Sequence, residues 1–144
     1  MKSTPIVGLL AALSLLSSGC AGNSIPTVDH TADWNFPYTA SPERTAKIHD
    51  ASIHFKSKML YTDFISQIGE PDQIDSLNAA FWGHSVAEDS FLVQNRPYFS
   101  YRAIWYVTKS GNVGVDMYDR WLTAYILNDG KRVGKIITND LKRD

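Results

Sequence analysis

Two apolar runs, residues 121–127 and 131–138, flank Asn128-Asp129-Gly130. A tight turn of this kind needs backbone with positive φ, which glycine adopts without steric cost and aspartate tolerates better than most residues. Apolar runs joined by Asp-Gly therefore predict a β-hairpin, and a hairpin cannot stand alone in water. The chain must supply further strands and something to cover them. The loop could close over two or three residues, so the cross-strand register stays open.

Residues 98–107 supply the next strand, being rich in aromatic and β-branched side chains. With period-two alternation, Tyr101, Ala103, Trp105 and Val107 share one face, and Arg102, Ile104 and Tyr106 share the other. Trp121 and Tyr125 share a face of the following strand. Covering helices would account for about half of these rings. The remainder would stand on an open sheet face, where aromatics beside an arginine resemble a protein-binding surface. Tyr101, Arg102, Trp105, Tyr106, Trp121 and Tyr125 are the candidate partner-binding residues.

Upstream the pattern is helical. Ser41-Pro42-Glu43 combines an N-cap, a proline suited to the first turn and an acid that complements the helix dipole. Ile48, Ala51, Ser52, Phe55 and Met59 follow at helical spacing as one narrow apolar face. A second helix is expected to open at Thr62, to bury Phe64, Ile65 and Ile68, and to stop at Gly69 before Pro71. Residues 73–82 form a weak strand candidate, and 84–95 read as a polar loop. Ser110-Gly111-Asn112 reads as a turn, 113–118 as a short strand or a loop, and 139–144 as a polar tail. The expected class is α+β: two N-terminal helices packed on a three- to four-stranded antiparallel sheet.

The first residues read as a signal peptide, with Lys2, an apolar run over 6–16 too short to span a bilayer, and small residues before Cys20. The segment Leu16-Ser17-Ser18-Gly19-Cys20 resembles the lipobox of bacterial lipoproteins. Cys20 is also the single cysteine of the chain, so it has no intramolecular disulfide partner. The resemblance implies lipidation of Cys20 with a diacylglyceryl thioether and an amide-linked acyl chain, which together anchor stably. Ala21 in place of aspartate implies sorting to the outer membrane, and the face expected for the anchored domain is the periplasmic one. The expected organisation is residues 1–19 as lipoprotein signal peptide, 20–40 as a lipidated flexible tether and 41–140 as the folded domain. Within the tether, Trp34-Asn35-Phe36-Pro37-Tyr38 is expected to dock on its own domain.

The segment Phe64-Ile65-Ser66-Gln67-Ile68-Gly69-Glu70-Pro71 is similar to the apolar-Gly-x-Pro segment of SmpA/OmlA-type lipoproteins, which include an accessory lipoprotein of the outer-membrane β-barrel assembly machinery. The closing segment 122–133 resembles that family's strand, acidic-Gly turn and return strand. The resemblance spans roughly residues 58–137. It implies an α+β fold and a non-enzymatic role in outer-membrane integrity or a membrane-associated complex, through contacts with an envelope protein. A β-lactamase-inhibitor-like domain shares the layout, and an inhibitor or ligand-binding module is the alternative.

Little in the sequence suggests chemistry. His49 and His54 lie about 140° apart around a helix axis, so they do not converge on one ion. Neither a His-Glu-x-x-His motif nor a cysteine ligand set is present. Gly111-Asn112-Val113-Gly114 lacks the Lys-Ser/Thr of a phosphate loop. The acid pairs Asp72/Asp75 and Glu88/Asp89 are expected on solvated surface. The formal net charge of −1 argues against nucleic acid as a partner. No enzyme activity, cofactor or metal is expected.

Overall fold

The computed structural model describes residues 27–77, 85–111 and 119–141. Its elements, in chain order, are β1 (Val28–Asp29), β2 (Tyr38–Thr39), α1 (Pro42–Ile53), β3 (Met59–Leu60), α2 (Tyr61–Ile68), β4 (Gln73–Ser76), α3 (Val86–Asn95), β5 (Phe99–Lys109), β6 (Arg120–Leu127) and β7 (Arg132–Asn139). Short 3-10 turns at His30–Asp33 and Arg96–Tyr98 precede β2 and β5. The strands form one seven-stranded sheet in the order β1-β4-β5-β6-β7-β3, with β2 also pairing β5, and every pairing is antiparallel.

The two-helix, three- to four-stranded layout is thus corrected to three helices and seven strands among the described residues. The missed helix is α3, in the segment that reads as a polar loop. Its start follows the rules: Ser85 is the N-cap and accepts the Glu88 amide at 3.2 Å. Its faces do not. Glu88 is fully buried with Leu92, whereas Val86 and Val93 point outward, 83% and 75% exposed. An apolar stripe is the usual sign of a surface helix, and here it is blurred, with Phe91 and Leu92 turned to the core beside Glu88 while two valines face outward.

The first helix begins as expected, with Ser41 accepting the Arg44 amide at 3.2 Å and Pro42 in the first turn. It buries Ile48 and Ala51 and ends at Ile53, before Phe55 and Met59. The second helix starts at Tyr61 and has Leu60, not Thr62, at its N-cap without a side-chain bond. Gly69 ends it at φ +91°, and the Gly69 carbonyl accepts Trp105 Nε1 at 2.9 Å. Phe64 meets the same indole edge-on, with ring centroids 5.5 Å apart. One side chain of β5 thereby holds α2 both by a ring contact and by a hydrogen bond.

The hairpin forms where the Asp-Gly pair places it. Gly130 takes φ +68° and donates to the Leu127 carbonyl at 2.8 Å. Asp129 Oδ1 accepts the amides of Lys131 and Arg132, at 2.8 and 3.1 Å. The register, open from sequence, pairs Ile126 with Val133 and Tyr125 with Lys135, leaving Gly134 as an extra residue. A Cβ there would lie 2.7 Å from Leu127 Cδ2 and 2.8 Å from Phe99 Cε1, so any side chain would force these neighbours to shift.

Part of the expected tether belongs to the sheet. Val28 and Asp29 pair with Ile74 and Gln73, and Tyr38 and Thr39 pair with Lys109 and Thr108. Trp34 stacks on Tyr38 at 3.8 Å and meets Tyr106 edge-on at 6.1 Å, so the aromatic cluster docks on its own domain. The Phe36–Pro37 peptide bond is cis, and the Phe36 ring lies over Gly111, where any side chain would collide. The tail also departs from expectation up to residue 141. Asn139 Nδ2 donates to the Asp119 carbonyl at 2.6 Å, and Leu141 is buried. The signal peptide, Cys20, the 113–118 segment and residues 142–144 lie outside the described residues, as does the second half of the 73–82 strand candidate.

Candidate functional site

The six residues expected on an open partner surface are all interior. Tyr101, Arg102, Trp105, Tyr106, Trp121 and Tyr125 are each 5% exposed or less. Tyr101 and Trp105 pack under α1 and α2 with Ile48, Phe64 and Ile68. Tyr125 packs with Leu92 and Phe91 of α3, and Tyr106 and Trp121 pack with Trp34 and Tyr38. The sheet is covered on both faces. Its surplus of rings is what two covered faces require, at about 1.5–3 kcal/mol for each large side chain fully buried.

The acid pairs are corrected too, since Asp72, Asp75 and Glu88 are buried rather than solvated. Arg102 Nε donates to Asp75 Oδ2 at 3.0 Å, and its Nη1 lies 3.5 Å from Glu88 Oε1. Tyr125 donates its hydroxyl to the same Glu88 oxygen at 2.9 Å. Gln73 Nε2 donates to both Asp75 oxygens at 3.1 Å, and Tyr106 donates to Gln73 Oε1 at 3.2 Å. One polar chain thus runs from β4 through β5 and β6 to α3. Burial pushes the Tyr125 hydroxyl well above the ordinary phenol range, and the adjoining Glu88 carboxylate pushes it further. Burial raises Tyr106 as well, against the opposing pull of Arg102. Both hydroxyls therefore stay protonated donors at neutral pH, which makes them clamps on α3 and β4 and poor bases.

Asp72 performs a second structural task. β4 covers the edge of β5 over 101–104 and β2 covers 108–109, so a gap lies between them. Asp72 fills it: its amide donates to the Ile104 carbonyl and its Oδ2 accepts the Tyr106 amide, each at 2.8 Å. Arg44 of α1 donates to Oδ1 at 2.8 Å and to the Glu70 carbonyl at 3.3 Å. Burial raises the Asp72 carboxyl above the usual carboxylate range and outweighs the lowering by the Tyr106 amide and by Arg44. A strand-like bond from a carboxylate needs these supports, because an unpaired buried amide costs about 1–3 kcal/mol.

The concave surface lies along α1. Clefts of about 490 Å³ at Ile53, Phe55, Met59 and Gln67, 570 Å³ at Thr45, His49, Thr108 and Arg120, and 330 Å³ at His49, Ile53, Ile136 and Thr138 border it in turn. Among the described residues no three His, Cys, Asp or Glu side chains converge on one point, and no helix is long and apolar enough to cross a membrane. The outward face of α3 offers a different chemistry. Val86 and Val93 lie two turns apart, and Tyr98 just beyond is 64% exposed. Sequence reasoning missed this helix although Ser85-Val86-Ala87-Glu88 matches the capping-box pattern.

Comparison of the chain with protein-family models, with curated proteins and with solved structures finds no match.

Proposed function

We propose that this chain is a lipid-anchored envelope protein, tethered through Cys20 at the periplasmic face of the outer membrane, that works by contact with a partner protein and not by catalysis. The observation that carries the reading is the apolar pair that α3 holds outward. A helix that buries Glu88 and exposes Val86 and Val93 gains nothing for its own fold from those valines. Apolar side chains held outward on a clamped helix suit contact with another protein. The signal-peptide pattern, the lone Cys20 and the resemblance to SmpA/OmlA-type lipoproteins support the anchor and the role.

A photo-crosslinking residue at position 93 of the full chain, in its native envelope, tests the proposal. The expected result is a reproducible adduct with one envelope protein, lost when the residue is moved to position 47 on α1. No adduct, or the same adducts from both positions, overturns it. The alternative of a ligand-binding or inhibitor module draws on the clefts beside His49 and Arg120, and it is favoured if the purified chain inhibits a hydrolase or retains an envelope glycan without any protein adduct.

A further inference from the structure

The outer edge of β7 is half used. β3 pairs only with its first two residues, Met59 with Val133 and Leu60 with Arg132. The Lys58 amide then donates to the Val133 carbonyl at 2.8 Å, and Ser57 Oγ donates to the Gly134 carbonyl at 3.0 Å. Beyond that point, among the described residues, no strand pairs with 135–139 on this side. On the inner side the same five residues are held in unbroken register by β6, from Tyr125 opposite Lys135 to Trp121 opposite Asn139. The open edge is therefore held in register from one side, and its central Ile136-Ile137-Thr138 is strand-forming.

We propose that this edge takes an acidic, extended segment of a partner protein as an added antiparallel strand. Unpaired main-chain donors and acceptors are matched by another main chain, and alternate side chains set the specificity. Ile136 and Thr138 line the 330 Å³ cleft with His49, Ser52, Ile53 and Leu141, so every second side chain of the incoming strand would enter a hollow of mixed polar and apolar lining. Ile53 stands 63% exposed at its wall. Charge selects the partner's sign. Lys56, Lys58 and Lys135 are exposed and have no ion pair among the described residues, and the Lys58 amide bond to Val133 sets the segment that leads into β3 beside the start of the open edge. An antiparallel strand would bring its C-terminal end to these three cations. A second copy fits less well: pairing two β7 edges about Ile137 sets Lys135 opposite Asn139 and leaves all three lysines without countercharge. The inference rests on the contact reading above and names one surface and one chemistry for it.

The test uses the full chain in mild detergent and two labelled seven-residue peptides of alternating Val and Thr. One ends in Glu-Val-Glu and the other in Lys-Val-Lys. Fluorescence anisotropy should show the acidic peptide binding about tenfold more tightly, the combined effect of two part-exposed charge pairs gained by one peptide and two like-charge contacts met by the other. Amide hydrogen exchange should slow within 135–139 on binding, and Lys135→Glu should shrink the preference while leaving the far-UV spectrum unchanged. Equal binding of both peptides, or binding of neither, overturns the proposal; a reproducible adduct from position 93 would still leave the contact reading standing. Protection of 135–139 that rises with protein concentration alone marks a second copy on the edge and overturns it as well.

Discussion

Arg102→Met probes the buried polar chain most sharply. Arg102 is 1% exposed, and it is the cation placed between Asp75 at 3.0 Å and Glu88 at 3.5 Å. Methionine keeps much of the volume and loses the charge, so two interior carboxylates remain without it. Breaking a buried pair by removing one partner costs about 3–5 kcal/mol, a large share of the roughly 5–15 kcal/mol that holds a domain together. With a urea m value of about 2 kcal/mol/M, the unfolding midpoint should fall by about 2 M. Adding Glu88→Gln should restore about 1–2 kcal/mol, since glutamine removes one stranded charge and its carbonyl can still accept the Tyr125 hydroxyl. Equilibrium urea unfolding followed by tryptophan fluorescence reads both values. A loss below about 1 kcal/mol for Arg102→Met is the range of a solvated surface pair and would refute a closed interior between α3 and the sheet.

Further predictions concern the tyrosines and the glycines. Tyr61, Tyr106 and Tyr125 have folded-state pKa values raised by burial above the unfolded value of 10.0. Their contribution to stability is complete below pH 10 and is lost as pH rises beyond it. Tyrosinate absorbance near 295 nm should therefore show three rings that ionise only as the circular dichroism of the fold collapses; full ionisation of all rings in the folded chain near pH 10 would contradict this. Gly134→Ala should cost about 1–3 kcal/mol, because its Cβ meets Leu127 and Phe99 at 2.7 and 2.8 Å. Gly130→Ala should cost only about 1 kcal/mol, since its φ of +68° is strained for alanine but nothing lies within 4 Å. Thermal melts of the two variants should rank in that order.

Local chemistry was legible in the sequence where a residue type decides the backbone by itself. Ser41-Pro42 capped α1, Gly69 and Pro71 closed α2, and Asp129-Gly130 turned the hairpin. What escaped was the second layer. Glu88 looks solvated in the sequence because its partners, Arg102 and Tyr125, lie on strands far along the chain. With Glu88 counted as polar and Val86 and Val93 as apolar, α3 shows no helical stripe. Without α3 nothing covers Tyr125, and without the N-terminal strands nothing covers Tyr106 and Trp121, so a covered face resembles a binding surface. The N-terminal strands escaped for a related reason: two residues each carry no periodicity, and Val28 and Tyr38 find their partners only in β4 and β5. Gly134 shows how a bulge hides, because alternation in β7 changes phase there without any marker but the glycine.

The proposed function turns on a lipid anchor at Cys20. Metabolic labelling with radioactive palmitate, followed by immunoprecipitation of wild type and Cys20→Ala, tests it most directly. The predicted result is label on the wild type, none on the variant, and the same circular dichroism spectrum for both purified chains. Label that persists on Cys20→Ala, or a wild type that takes up none, would contradict the anchor and with it the proposed function.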